Sequence, residues 1–229
     1  TGMAKAIAKE TGLPIVAIPT TYAGSEMTSI WGLTEGSRKL TGKDVRVLPR
    51  TVVYDPVLTI SLPVDISAAS GMNALAHLME GLYAPGASPI TTLVAEEGIR
   101  ALATALPAVV ADPTDIAARC TALYGAWLGG AVLGAVGMAL HHKLCHTLGG
   151  TLNLPHAEVH TVVLPHAIAF NAHAAPEAMK KIARALHRDD AALGLYQLAK
   201  DNGAPVALRD IGMKAEDIGR IAHIAVQNP

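Results

Sequence analysis

Apolar residues recur along this chain at two different periods, and the change falls near residue 61. TGMAKAIAKETG reads as a charged amphipathic helix closed by a C-cap signal at Gly12. LPIVAIPT is a short β-rich apolar run suited to a buried parallel strand, and RVLPRTVVYDP supplies another strand that ends at Asp55-Pro56. Between them, TTYAGSEMTSIWGLTEGSRKLTGKD is rich in Thr, Ser and Gly and reads as loop. Residues 1–60 are thus α/β material, too little for a complete doubly wound sheet. From SLPVDISAASGMNALAHLMEGLY onward the pattern is almost wholly helical. Start signals stand at Ser61/Pro63, Ser88/Pro89, Asp112/Pro113 and Pro155, and charged amphipathic stretches follow Pro176. The expected fold is an incomplete α/β portion over 1–60 followed by an all-α helical bundle over 61–229. The closing AHIAVQNP has no cap, so both ends read as cuts through a larger protein.

One segment could mislead. ALYGAWLGGAVLGAVGMAL, residues 122–140, is uncharged, long enough to span a bilayer, and carries small-xxx-small spacings at Gly125/Gly129 and Gly130/Gly134. Against a membrane helix stand its five glycines, its direct run into His141, His142 and Lys143, and the lack of a comparable second span. It is expected instead as a central helix buried on all faces by its neighbours.

Hydrophobic residues make up 51% of the chain, charged residues 16% and aromatics 3%, which suits an interior of closely packed helices with small side chains. The formal net charge is −1 and no basic stripe is present, so nucleic acid is not expected as a partner. Cys120 and Cys145 are isolated and form no CxxC, which fits a reducing compartment rather than a disulfide framework or a zinc ribbon. The opening residues do not resemble a signal peptide, and a cytoplasmic location is expected.

Six of the ten histidines fall between 141 and 166, and His77 lies upstream. Residues four apart share a helical face, so Asn73/His77, His142/His146 and His156/His160 form three pairs able to meet in one pocket. Such a gathering suits a divalent metal held by imidazole nitrogens and an oxygen, or proton donors gripping an anionic substrate. A single histidine is as readily a core or surface residue satisfied by a backbone carbonyl; the set argues for a shared site. The histidines and residues 122–140 also admit a non-enzymatic helical metal-binding or membrane protein.

IPTTYAGSEMT, YDPVLTISLP, SGMNALAHLMEGLY and HHKLCHTLGGTLNLPHAEVHTVVLPHAIAFN, in that order and spacing, resemble the iron-containing (group III) alcohol dehydrogenase superfamily, and within it the maleylacetate reductases. The resemblance implies a dehydroquinate synthase-like architecture, in which an N-terminal domain holds NADH or NADPH, a helical domain holds a catalytic metal, and the active site lies in the cleft between. It also implies that Thr1 follows the glycine turn that would cradle the pyrophosphate, so that this piece alone would bind dinucleotide weakly. Thr20 and Thr21 match paired threonines lining the cofactor groove, with Ser25 and Thr28 nearby and Lys39 at a position where a lysine often sits near the cofactor. The metal positions are Asn73, His77, His142 and His156, for Fe or Zn, and His146 matches a histidine beside the nicotinamide.

Asn73 stands where the superfamily usually has Asp, as it does in maleylacetate reductases. Losing that negative charge weakens divalent binding, and alcohol oxidation needs a Lewis acid more than enoate reduction does. The implied activity is NAD(P)H-dependent reduction of the carbon–carbon double bond of maleylacetate, a dicarboxylate, to 3-oxoadipate in aromatic-compound degradation, by a cytoplasmic homodimer. His77, His142, His146 and His156 are the expected catalytic residues. The rival within the superfamily is a metal-dependent alcohol or polyol dehydrogenase.

Overall fold

The computed structural model describes residues 1–35 and 38–227. Helix α1, Gly2–Thr11, stops where Gly12 turns left-handed at φ 72°, its N–H returning to the Ala8 carbonyl. Ala8 of α1 packs on Ile15 and Ala17. Strand β1, Val16–Ala17, pairs in parallel with β4, Thr51–Val52, as the sequence suggested. It is not the two-sided buried strand expected. Val16 is 65% exposed, because α1 covers only the face that carries Ile15 and Ala17.

The polar stretch read as loop contains an antiparallel hairpin. Strand β2, Ile30–Glu35, pairs with β3, Arg38–Lys43, in a register that sets Trp31 opposite Gly42. The lack of a Cβ at residue 42 makes room for the Trp31 ring, and the Lys9 ammonium lies 4.8 Å from the centre of that ring. Lys5, buried under the hairpin, donates to the carbonyls of Thr28 and Ile30, both at 2.7 Å, and fixes α1 to the start of β2.

From Val64 the chain is helical. Helix α2, Val64–Gly81, is buried without interruption from Ser67 to Gly81 and forms the axis of the bundle. Around it lie α3 (Pro89–Ala111), α4 (Ile116–Val136) and α6 (His156–Asn171). Met72, Leu75, Leu78 and Met79 of α2 meet Leu102, Leu106, Leu164 and Ile168 in one core. Helices α7 (Pro176–Leu186) and α8 (Ala191–Asp201) extend that core through Ile182 and Leu195. Helix α5, Leu140–Leu152, packs with α6 and with α9, Asp217–Val226, over a smaller cluster around Cys145, Val159 and Ile221.

The apolar stretch 122–140 is not one helix. Helix α4 ends at Gly137, whose φ of 78° a side chain would resist, and α5 begins at Leu140. Nor is α4 buried on all faces, since Tyr124 and Trp127 are 40% and 38% exposed. Its glycines explain its composition. Gly125 faces Leu102 of α3, Gly129 meets the Ala74 carbonyl of α2, and Gly130 and Gly134 lie against the loop carrying Gly24 and Met27.

That loop is also held from below. The fully buried Arg119 of α4 donates to the Tyr22 hydroxyl at 3.0 Å, to Ser67 Oγ at 3.2 Å, and to the carbonyls of Pro113 and Leu62.

Candidate functional site

Three helices supply the site because each carries a pair of side chains four residues apart on its inward face. Helix α2 brings Asn73 and His77, α5 brings His142 and His146, and α6 brings His156 and His160. The rings of His77 and His142 stack with centroids 5.0 Å apart, and His142 meets His160 at 4.7 Å. His156 lies 4.3 Å from His160 and 6.3 Å from His146. The expected convergence is therefore present.

The arrangement is graded in depth. His146 and His156 are exposed at the mouth, Asn73, His77 and His142 are buried behind them, and His160 and His141 have no exposure at all. Four buried polar atoms among these groups, Asn73 Oδ1, His77 Nδ1, His142 Nε2 and His160 Nε2, have no hydrogen-bonding partner among the described residues. Orphaned buried acceptors and donors are rare in folded proteins and signal a ligand or ordered water. Burial holds His77, His141 and His160 well below the ordinary imidazole pKa and takes His142 to about 3, neighbouring imidazoles adding to the effect. The floor is a group of neutral imidazoles.

Two features escaped sequence reasoning. Glu80 is fully buried, and its carboxylate accepts from the backbone N–H groups of Ala139, His141 and His142 at 3.2, 2.7 and 3.3 Å. Its Oε2 also lies 2.5 Å from His142 Nδ1. Burial leaves the Glu80 carboxyl above its ordinary pKa although the His141 ring and the three amides pull it back; the backbone donors converging on both oxygens make both of them acceptors. The signal was available, since Asn73, His77 and Glu80 share one face of α2 at i, i+4 and i+7.

The second is a closed group behind the site, where His141 Nε2 lies 3.0 Å from His160 Nδ1 and 3.6 Å from Cys145 Sγ. Among the described residues these three bring their possible ligand atoms within 4.8 Å of one another. Burial pushes the Cys145 thiol well above its ordinary pKa, which favours the neutral thiol over a metal-binding thiolate.

Thr20, Thr21, Ser25 and Thr28, expected at the cofactor, lie on the loop after β1, and Lys39 lies in β3. Thr20 is exposed and Thr21 partly so, and the Tyr22 N–H donates to Ser70 Oγ of α2 at 3.4 Å. Ser25 opens a short 3₁₀ turn, Ser25–Met27. Thr28 is buried, its hydroxyl taken up by Lys5 Nζ at 3.0 Å and the Ser25 carbonyl at 3.2 Å, which makes it a packing contact between the loop and α1. The side chain of Lys39 lies outside the described residues.

The donor chemistry suits a divalent ion. Three imidazoles and an amide oxygen, two of the imidazoles buried with unpartnered nitrogens, form a neutral N/O set, and Glu80 behind His142 is the carboxylate–imidazole support that metal ligands commonly have.

The chain is similar to several known proteins. A profile described as Fe-containing alcohol dehydrogenase family, C-terminal, matches residues 67–229. A maleylacetate reductase from Pseudomonas knackmussii is 60% identical over 227 residues, which is 99% of this chain and 64% of that protein. The crystal structure of maleylacetate reductase from Rhizobium sp. strain MTP-10005 is 52% identical with a TM-score of 0.96, covering all of this chain and 65% of that one. A sulfoacetaldehyde reductase from Bifidobacterium kashiwanohense, solved in complex with NAD+, is 27% identical with a TM-score of 0.85 over 93% of this chain and 58% of that one. The chain spans about two thirds of the length of such relatives.

Proposed function

The chain belongs to the Fe-containing alcohol dehydrogenase family, and from that premise we propose that the protein carrying it reduces the carbon–carbon double bond of maleylacetate to 3-oxoadipate at the expense of NADH or NADPH. The observation that carries this reading is the neutral, imidazole-rich pocket with an amide, Asn73, where a carboxylate would otherwise strengthen a cation site. Residues 1–60 serve in this reading as the remainder of the cofactor-binding domain, and 61–229 as the helical catalytic domain.

Bound reduced nicotinamide supplies a hydride, and a divalent ion held by Asn73, His77, His142 and His156 would supply positive charge near the keto oxygen. The protein's own groups do the rest. Negative charge appears on that oxygen as the olefinic carbon conjugated to it is reduced, and preorganised imidazole donors stabilise charge that develops there. Exposed His146 at the mouth, joined by His156 when no ion is held, is suited to gripping a carboxylate, and the buried His77 excludes water behind the reacting bond. The proton completing the reduction comes from one of these imidazoles or from solvent at the mouth. Thr20 and Thr21, on a loop pinned by Tyr22 to Ser70 and Arg119, form one wall of the dinucleotide groove.

The test is direct. The purified protein is mixed with maleylacetate and NADH or NADPH, and the absorbance of the reduced nicotinamide is followed. Consumption with maleylacetate, and none with NAD+ or NADP+ and primary alcohols or polyols, supports the reading. The reverse pattern would establish the alcohol dehydrogenase rival.

A further inference from the structure

Glu80 is buried, ionisable and unused in the chemistry above, yet it reaches one of the site's imidazoles. It stands on the same face of α2 as Asn73 and His77, but its carboxylate points to the start of α5. That helix has no side-chain cap of its own, because Ala139 occupies the N-cap position and its first turn has no acidic residue. Glu80 substitutes for both from another helix. Oε1 takes the His141 amide, and Oε2 takes those of Ala139 and His142.

Backbone amides can only donate, so both oxygens of Glu80 already act as acceptors. The remaining contact, Oε2 to His142 Nδ1 at 2.5 Å, needs a single proton between the two atoms. The helix N-terminus and its amides favour a carboxylate, which leaves that proton on the imidazole nitrogen. We infer that Glu80 is a positioning residue that locks His142 in the Nδ1–H tautomer, with the bare lone pair of Nε2 turned into the site.

The consequence rests on the function proposed above. A His142 locked this way accepts a hydrogen bond or a cation at Nε2, and does not donate there. The hydrogen bond to the developing enolate oxygen, and the proton that follows, then fall to other imidazoles of the site. The Nε2 atom of His160, also buried and without a partner among the described residues, is one available source.

The tautomer is measurable without substrate or cofactor, so its failure is separable from failure of the proposed reaction. In the intact protein labelled with 15N-histidine, long-range 1H–15N correlation spectra, assigned by loss of signals in His142→Gln, should show His142 with a protonated Nδ1 and an unprotonated Nε2. An Nε2–H tautomer in the wild-type protein overturns the inference. Glu80→Gln must set its NH2 against a backbone N–H in either orientation, so the support is weakened and the Nε2–H tautomer should become populated, with kcat for the proposed reduction falling roughly 10–100-fold and KM changing less. Glu80→Asp keeps the carboxylate and should restore the wild-type tautomer and part of kcat. If Glu80→Gln does not fold, the wild-type and Glu80→Asp spectra still decide the matter.

Discussion

Gly24 and Gly130 meet backbone to backbone. A Cβ built on Gly130 would stand 2.4 Å from the Gly24 carbonyl oxygen, and one built on Gly24 would stand 3.0 Å from the Gly130 Cα. The loop bearing Thr20 and Thr21 therefore lies directly on α4, the helix whose next-door Gly129 touches the Ala74 carbonyl beside Asn73.

Gly130→Ala should destabilise the protein by about 1–3 kcal/mol, the usual cost of overpacking, since the nearest obstructing atom is the backbone oxygen of Gly24. Gly150→Ala in α5 is the control. Nothing lies within 4 Å of its Cβ position, and replacing a helical glycine there should be neutral or stabilising by roughly 0.5–1 kcal/mol. Denaturant melts of the two variants should move in opposite directions.

Arg119→Met removes donors from the buried Tyr22 hydroxyl and Ser67 Oγ and from the partly buried carbonyls of Leu62 and Pro113. At roughly 1–3 kcal/mol for each buried polar group left unsatisfied, the expected loss is about 2–5 kcal/mol after relaxation. Because Tyr22 anchors the loop proposed to line the dinucleotide groove, KM for reduced nicotinamide should rise more than KM for the substrate. Unchanged thermal stability would contradict the clamp.

Chelation tests the neutral ligand set. Treatment with EDTA should leave most of the reduction of maleylacetate intact, whereas Asn73→Asp should strengthen binding of Zn²⁺ or Fe²⁺ as read by calorimetry. Activity that disappears on chelation and returns with either ion would favour the metal-dependent alcohol dehydrogenase reading.

Lys5 predicts a pH dependence of stability. Burial lowers its pKa from 10.5 to about 8, partly opposed by Glu26. Between about pH 8 and 10.5 the unfolded chain binds a proton that the folded one has released, so this residue's contribution to stability rises with pH through that window and is lost as pH falls through 8. Measured against Lys5→Met, the wild-type protein should gain relative stability from pH 7.5 to 10. A constant difference would show that Lys5 is charged throughout.

Much of the site was legible because four-residue spacing survives folding into helices. Asn73/His77, His142/His146 and His156/His160 needed only the period of 3.6 to be paired, and their helices converge. The hairpin β2–β3 was hidden by its polar composition, although Trp31, Leu33 and Leu40 alternate with small or polar residues. The break at Gly137 was hidden because apolar residues run through it without a turn signature. What caps the start of α5 is a carboxylate more than fifty positions earlier in sequence, and local pattern carries no information about such a partner. The same reason kept Glu80 out of the site, since an acidic residue in an apolar helix declares its role only when its acceptors are met.

That borrowed cap has a bearing on the order of events during synthesis. Helix α5 is only 13 residues long, and a helix of that length is marginal in water even when capped. Helix α2 leaves the ribosome well before α5 and must keep a buried carboxylate hydrated until its partner arrives. His142 and His146 can take their places only after α2 is docked. Helix, cap and imidazole floor then form in one cooperative step, so a nascent or partly unfolded chain should hold no half-built pocket able to capture stray transition metals.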